Sequence, residues 1–114
     1  MMSISFKGIG DQYVTFSAAG TAELGGVCKI SANGTVDKCA AGDAFCGVIA
    51  ELRFGTAGVT MGGYVELHYT GAAPTVGYAA LAADGSGGVK ALEDGREYLV
   101  VSVDTEAQTV GLFL

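Results

Sequence analysis

The sequence predicts an all-β protein, a small Gly-rich β-barrel or β-sandwich of about eight to ten short strands with a weak internal repeat. First, apolar and polar residues alternate with a period of two in most of the chain, as they do in strands with one buried face. Second, the chain has 19 glycines and a single proline, and glycine clusters between strand-like segments are typical of turns. Third, Asn33-Gly34 and Asp84-Gly85 stand between strand-like segments, where a type I′ turn would require positive φ at both residues.

Individual strands follow from the alternation. The clearest predicted strands are residues 12–17, 64–70, 97–104 and 109–114. Residues 105–108 (TEAQ) are predicted to form the tight connection between the last two. Residues 43–54 (DAFCGVIAELRF) could form a helix. Gly47 and the β-branched Val48 and Ile49 make a strand the better prediction there.

The chain also repeats itself. GVCKISANG (26–34) aligns with GYAALAADG (77–85), and VDKCAAGDAFCGVI (36–49) aligns with VKALEDGREYLVVS (89–102) after a short insertion. Phe45 then matches Tyr98, and all three cysteines match small or aliphatic residues. Two similar β units in one small chain suggest a pseudo-symmetric barrel or sandwich.

The three cysteines, Cys28, Cys39 and Cys46, are expected to fill the core as free thiols, because free cysteine packs as a small hydrophobe. A zinc site is disfavoured, since no two of them form the C-x-x-C pair that tetrahedral sites commonly use. A catalytic thiol would need His68, the one histidine, which alternates onto the same strand face as Glu66. A solvated strand face is the better interpretation of that pair. We therefore expect no catalytic thiol, no metal and no cofactor.

Length and charge exclude several partners. At 114 residues the chain is predicted to form a single β domain over 13–114, preceded by a flexible N-terminal arm at 1–12.

A net charge of −6 argues against a nucleic-acid partner, which requires a basic surface. No segment resembles a secretion signal or a membrane span, so we expect synthesis in the cytoplasm and no membrane partner.

The sequence does not predict an enzyme. The carboxylate pairs Glu93/Asp94 and Asp104/Glu106 flank turns, where they would be solvated. The Gly-rich segments GIG (8–10) and GSGG (85–88) are not followed by a predicted helix, so the sequence does not support a phosphate-binding loop. A biotinyl or lipoyl carrier would need lysine at a hairpin tip, where this chain has Asn33-Gly34 or Asp84-Gly85. The mean hydropathy of +0.43 is high, which favours a protein that buries apolar surface by assembling with others.

The chain resembles the small head decoration, or capsid cement, proteins of tailed phages and prophages. The resemblance covers residues 12 to 114 and is carried by glycine and aliphatic patterns. These are GDAFCGVIA (42–50), VTMGGYVELHYTGA (59–72), VGYAALAADGSGGVKA (76–91) and TVGLFL (109–114). The three cysteines depart from that pattern.

This resemblance implies a structural virion protein that binds the outer surface of an assembled phage capsid and stabilises it. The implied partner is the major capsid protein, with self-association as a homotrimer in some members. It also implies location on the virion after synthesis in the bacterial host. The candidate contact residues are Ser3, Ile4, Phe6 and Lys7 in the arm, and Tyr64, Glu66 and His68 along the edge of YVELHYT.

Two other functions remain open from the sequence. One is a different assembly module, such as a tail, baseplate or surface β domain. The other is a small ligand-binding or metal-binding β-barrel, which would need a polar-lined cavity.

Overall fold

The computed structural model describes residues 12–114, which contain ten strands and no helix. The strands are β1 (Gln12–Ala18), β2 (Val27–Ala32), β3 (Thr35–Lys38), β4 (Gly47–Arg53), β5 (Thr56–Gly62), β6 (Tyr64–Thr70), β7 (Gly77–Ala83), β8 (Val89–Ala91), β9 (Arg96–Asp104) and β10 (Thr109–Phe113). They close into two five-stranded barrels, the first made of β1–β5 and the second of β6–β10. The predicted all-β fold of about ten strands is confirmed. Within the described range, no helix is long and apolar enough to cross a lipid bilayer.

Both barrels have the same strand order. The first runs β1-β3-β2-β4-β5 and closes from β5 to β1. The second runs β6-β8-β7-β9-β10 and closes from β10 to β6. In each, the first and third strands of the unit pair in parallel, and the other neighbours are antiparallel. The internal repeat therefore extends to two complete barrels of identical topology.

Cross-strand partners identify which residues of the two barrels are equivalent. Cys28 pairs with Gly47 in the first barrel as Ala79 pairs with Tyr98 in the second. Gly47 therefore corresponds to Tyr98, and the alignment of Phe45 with Tyr98 was wrong by two residues. The connection before β4 is longer than the one before β9, which a continuous alignment of the two segments could not accommodate.

A tyrosine covers a glycine at the same place on each barrel. A Cβ added to Gly58 on β5 would collide with the ring of Tyr13, and one added to Gly111 on β10 would collide with the ring of Tyr64. The tyrosines stand at or next to the first residue of equivalent strands, and each is followed by valine. Aromatic rings commonly protect glycines in sheets in this way. The two Tyr-Val dipeptides are thus a further sequence signal of the repeat.

The hairpins form at the predicted places with different turn chemistry. Gly34 has φ +62°, but among the described non-glycine residues only Gln108 has positive φ, so Asn33-Gly34 is not a type I′ turn. A register shift between Ile30 and Ala32 accommodates the turn instead. At the other hairpin, the Asp84 carboxylate accepts hydrogen bonds from the backbone N–H groups of Ser86 and Gly88, at 2.7 and 3.1 Å. A longer loop results there.

The two barrels share buried side chains. The larger core cluster has twelve buried residues. Most of them belong to the second barrel, but Val27, Cys39 and Phe45 come from the first unit. Phe45 stacks on Tyr98 with ring centroids 4.8 Å apart, and the Tyr98 hydroxyl donates to the Phe45 carbonyl at 3.0 Å. The smaller cluster contains Cys28, Val36, Ile49, Ala57 and Val59. The first barrel therefore has the smaller core of its own.

Asp43 holds the connection between β3 and β4. Its carboxylate pairs with the Lys29 ammonium at 2.7 Å and accepts from the Ala40 N–H at 2.9 Å. The next turn of this connection hydrogen-bonds to the second barrel, since Gly42 donates to the Ala83 carbonyl and Ala83 donates to the Asp43 carbonyl. The ion pair thus positions the segment that carries Phe45.

We expect acid to weaken the protein partly through Asp43. The Lys29 hydrogen bond, followed by the Ala40 N–H, lowers the pKa of Asp43 from its ordinary 3.8. A carboxyl with a lower pKa in the folded state stabilises above the unfolded value, and this is lost as pH falls through the folded pKa. Asp43→Asn should therefore show a smaller loss of Tm than the parent between about pH 5 and pH 2.5. Asp94→Asn, an exposed change in the loop before β9, is the control, and parallel Tm curves for Asp43→Asn and the parent would contradict the prediction.

The predicted arm, residues 1–12, lies outside the described residues except for Gln12. Gln12 is the first residue of β1 and pairs with Gly62. The candidate contacts Ser3, Ile4, Phe6 and Lys7 also lie outside the described residues.

Candidate functional site

The remaining predicted contact residues lie on the outward face of β6. Glu66 and His68 are exposed and Tyr64 is half-buried, while Leu67 and Tyr69 alternate into the core. The Tyr64 hydroxyl donates to the Glu66 carboxylate at 3.0 Å. β6 pairs with β10 along one side and with β8 at its end on the other. The edge of β6 that faces β10 is thus paired from Tyr64 to His68, and the exposed Glu66 and His68 lie on its outward face.

A cleft of about 480 Å³ lies between the two barrels, beside His68. The loop at 23–26 forms one wall, β6 contributes Glu66 and His68, and the hairpin at 84–88 forms the other wall. Asp84 is engaged with its own hairpin, so its carboxylate is already partnered. No three His, Cys, Asp or Glu side chains of residues 12–114 come together in a way that could hold a metal ion. The cleft is where the ligand-binding alternative would place its site.

The cysteines lie in the first unit. Cys28 and Cys39 are buried among apolar side chains, which confirms that they fill the core, and Cys46 is half-buried. Burial, with a smaller contribution from Asp43, raises the pKa of Cys39 to about 11. Cys46 packs against the core cluster that contains Cys28, and its N–H donates to the Cys28 carbonyl at 2.8 Å. The sequence did not indicate this pairing, because seventeen residues of hairpin and loop separate the two positions.

Large apolar side chains are unevenly exposed on the two barrels. Among residues 12–114, six of the eight exposed ones belong to the first unit: Tyr13, Val14, Leu24, Ile30, Leu52 and Phe54. The other two are Val76 and Tyr78. A small core with many apolar side chains outside it is the composition expected of a surface that another molecule covers.

Phe54 is the extreme case. It is fully exposed at the turn between β4 and β5, where Gly55 has φ +77°. Leu52 and the small residues Ala18, Ala19 and Ala22 lie beside it and line a shallow, mainly apolar groove of about 380 Å³. We call this region, formed by Ala18, Ala19, Ala22, Leu52 and Phe54, the tip surface.

The tip surface was missed from the sequence, although a signal was present. Arg53-Phe54-Gly55-Thr56 places a phenylalanine directly before a turn glycine, a position that polar residues usually occupy. Phe54 is fully exposed, so no packing contact within the described residues explains an aromatic ring at this position. Phe54 and its neighbours were instead treated only as the end of a strand.

No family model matches the chain, and no curated protein matches it either. The tip surface, the β6 face and the inter-barrel cleft are three candidate functional surfaces in the described residues. Of these, the tip surface departs most from what folding alone requires.

Proposed function

We propose that this chain is a capsid decoration protein, which binds the outer surface of an assembled phage shell and stabilises it. The observation that carries the proposal is the tip surface, with its fully exposed Phe54 above small residues. Exposed aromatic anchors of this kind dominate the energetics of protein interfaces. The glycine and aliphatic patterns that resemble decoration proteins support the same assignment.

The proposed mechanism is mass action. A protein that binds the assembled shell but not its separate subunits lowers the free energy of the shell. A rigid pair of closed barrels suits this role, because little conformational entropy is lost on docking. The partner would be the major capsid protein, the location the virion surface, and the place of synthesis the bacterial cytoplasm. We assign no catalytic residue and no cofactor.

Self-association of this chain as a homotrimer, at threefold positions of the shell, is part of the same proposal. The contacts would then divide between neighbouring copies and the shell. The face of β6, with Tyr64, Glu66 and His68, is the second candidate contact surface. Ser3, Ile4, Phe6 and Lys7 stay predictions for the arm.

The test of the function is mass spectrometry of phage particles purified from the host that carries this gene. We expect a molar ratio of this chain to the major shell protein near one. A few copies per particle would favour the tail or baseplate alternative. Absence from particles in cells that express the chain would contradict a virion role and return attention to the cleft beside His68.

The test of the surface is Phe54→Ser. If Phe54 is a buried anchor in the complex, its truncation should cost about 2 kcal/mol or more, which is roughly a 30-fold loss of affinity for expanded capsids. Tyr78→Ser is the matched control, since Tyr78 is also an exposed aromatic residue but lies on the second barrel. Binding to purified shells is measured by cosedimentation, with circular dichroism to show that both variants fold. Equal binding by Phe54→Ser and the parent would remove the tip surface from the interface without affecting the particle ratio.

A further inference from the structure

Cys28 and Cys46 lie close together where β2 pairs with the start of β4. Cys28 pairs with Gly47, and the N–H of Cys46, the residue before Gly47, donates to the Cys28 carbonyl at 2.8 Å. Two consecutive residues thus lie opposite Cys28, which is the arrangement of a β-bulge. Cys46 also packs against the small core cluster that contains Cys28. Opposed residues in antiparallel strands have Cα atoms about 4.5–5.5 Å apart, within the range of about 4.4–6.8 Å that a disulfide spans.

The two thiols differ in reactivity. Cys28 is fully buried, and the half-buried Cys46 packs against the core cluster that contains it. Interaction between the two thiols lowers the pKa of Cys46 to about 7, and the same interaction together with burial raises the pKa of Cys28. Cys46 is also the more exposed of the two residues. Cys46 is therefore the attacking thiolate and Cys28 the resolving thiol, because the thiolate is the nucleophile in disulfide exchange.

We propose that Cys28 and Cys46 are a redox-reactive dithiol that forms an intramolecular disulfide with small disulfide oxidants such as oxidised glutathione. The Cys46 thiolate attacks one sulfur of the oxidant, forms a mixed disulfide and releases one glutathione thiolate. Cys28 then gives up its proton to solvent and attacks the Cys46 sulfur, which releases the second glutathione thiol. The protein loses two protons and two electrons, and one oxidised glutathione takes them up to become two reduced molecules.

The fold does not require this pair. The equivalent positions in the second barrel are Ala79 and, by the same register, Glu97, and that barrel closes with the same topology. What distinguishes the first barrel is its small core of five buried residues. Small cores are commonly supported by a covalent cross-link. A bond between β2 and the residue before β4 would enclose β3 and its hairpin, so it would restrain most of one side of this barrel.

The expected behaviour follows from the redox state of the surroundings. In a reducing cytoplasm the pair stays as thiols, and in an oxidising medium it closes. This inference concerns the isolated chain and holds whether or not the chain binds a capsid.

The experiment uses the full chain, reduced, desalted and then incubated with oxidised glutathione. We expect an intact mass lower by two hydrogens, and one maleimide label instead of three after unfolding, with the label on Cys39. Peptide mapping without reduction should find Cys28 joined to Cys46. Closing this loop should also raise the Tm by about 10 °C. Three free thiols, a disulfide that includes Cys39, or a cross-link between chains would overturn the proposal.

Three variants separate the roles. Cys39→Ala should form the same disulfide at an unchanged rate. Cys28→Ala should accumulate a stable glutathione adduct on Cys46, because the resolving thiol is gone. If Cys28→Ala does not fold, Cys46→Ala serves instead, and it should form neither adduct nor disulfide. An adduct on Cys28 in Cys46→Ala that forms as fast as the parent disulfide would show that Cys46 is not the attacking thiol.

Discussion

Phe45→Ala is expected to lower the free energy of unfolding by about 3–5 kcal/mol, the usual range for removing a buried phenylalanine. Phe45 is 3% exposed and stacks on Tyr98 of the second barrel. Its loss leaves a cavity at the place where the connection before β4 meets β9. Because small domains are stable by only about 5–15 kcal/mol, the variant should unfold at a Tm lower by roughly 10–20 °C.

Tyr98→Phe is the matched control for this cavity. It keeps the stacked ring but removes the hydroxyl that donates to the Phe45 carbonyl at 3.0 Å. That carbonyl is then left without this donor, at a cost of about 1–2 kcal/mol. Urea unfolding followed by circular dichroism measures both variants. If Phe45→Ala were no more destabilising than Tyr98→Phe, the stacked contact between the barrels would not contribute as the structure indicates.

Gly95→Ala is expected to destabilise by about 2–4 kcal/mol, at or above the usual range for overpacking. A Cβ at Gly95 would lie 2.5 Å from the carbonyl oxygen of Leu81 and 2.8 Å from its carbonyl carbon. These are backbone atoms of β7, which pairs with β9 at Leu81 and Arg96. Since neither strand can move without breaking this ladder, the methyl group has to separate the strands.

Gly20→Ala provides the comparison within the same chain. No atom lies within 4 Å of a Cβ at Gly20, and its φ is not in the left-handed region. Alanine there should be neutral or should stabilise by up to about 1 kcal/mol, because it restricts the unfolded chain. Thermal unfolding of both variants is sufficient. Equal Tm values for Gly95→Ala and Gly20→Ala would contradict the close approach of β7 to the start of β9.

Local patterns in the sequence predicted much of this fold. Alternation located β1, β6, β9 and β10 within a residue or two, and the Asx-Gly dipeptides located both hairpins. Burial of Cys28 and Cys39 also followed from composition and the repeat. The candidate contact residues of the tip surface were harder to find, because an exposed apolar residue such as Phe54 has no periodic signature. Whether such a residue is exposed depends on how the neighbouring strands pack around the turn that carries it.

The sequence by itself determined the class of fold, the approximate strands and the existence of two similar units, since these depend on interactions between near neighbours. Tertiary structure alone decided that each unit closes on itself as a barrel, because the pairing of β1 with β5 joins residues far apart in the chain. It also decided that Phe45 stacks on Tyr98 and that the Cys46 N–H donates to the Cys28 carbonyl. Those contacts depend on strand register, and a shift of two residues changes every cross-strand partner while leaving the alternating pattern the same.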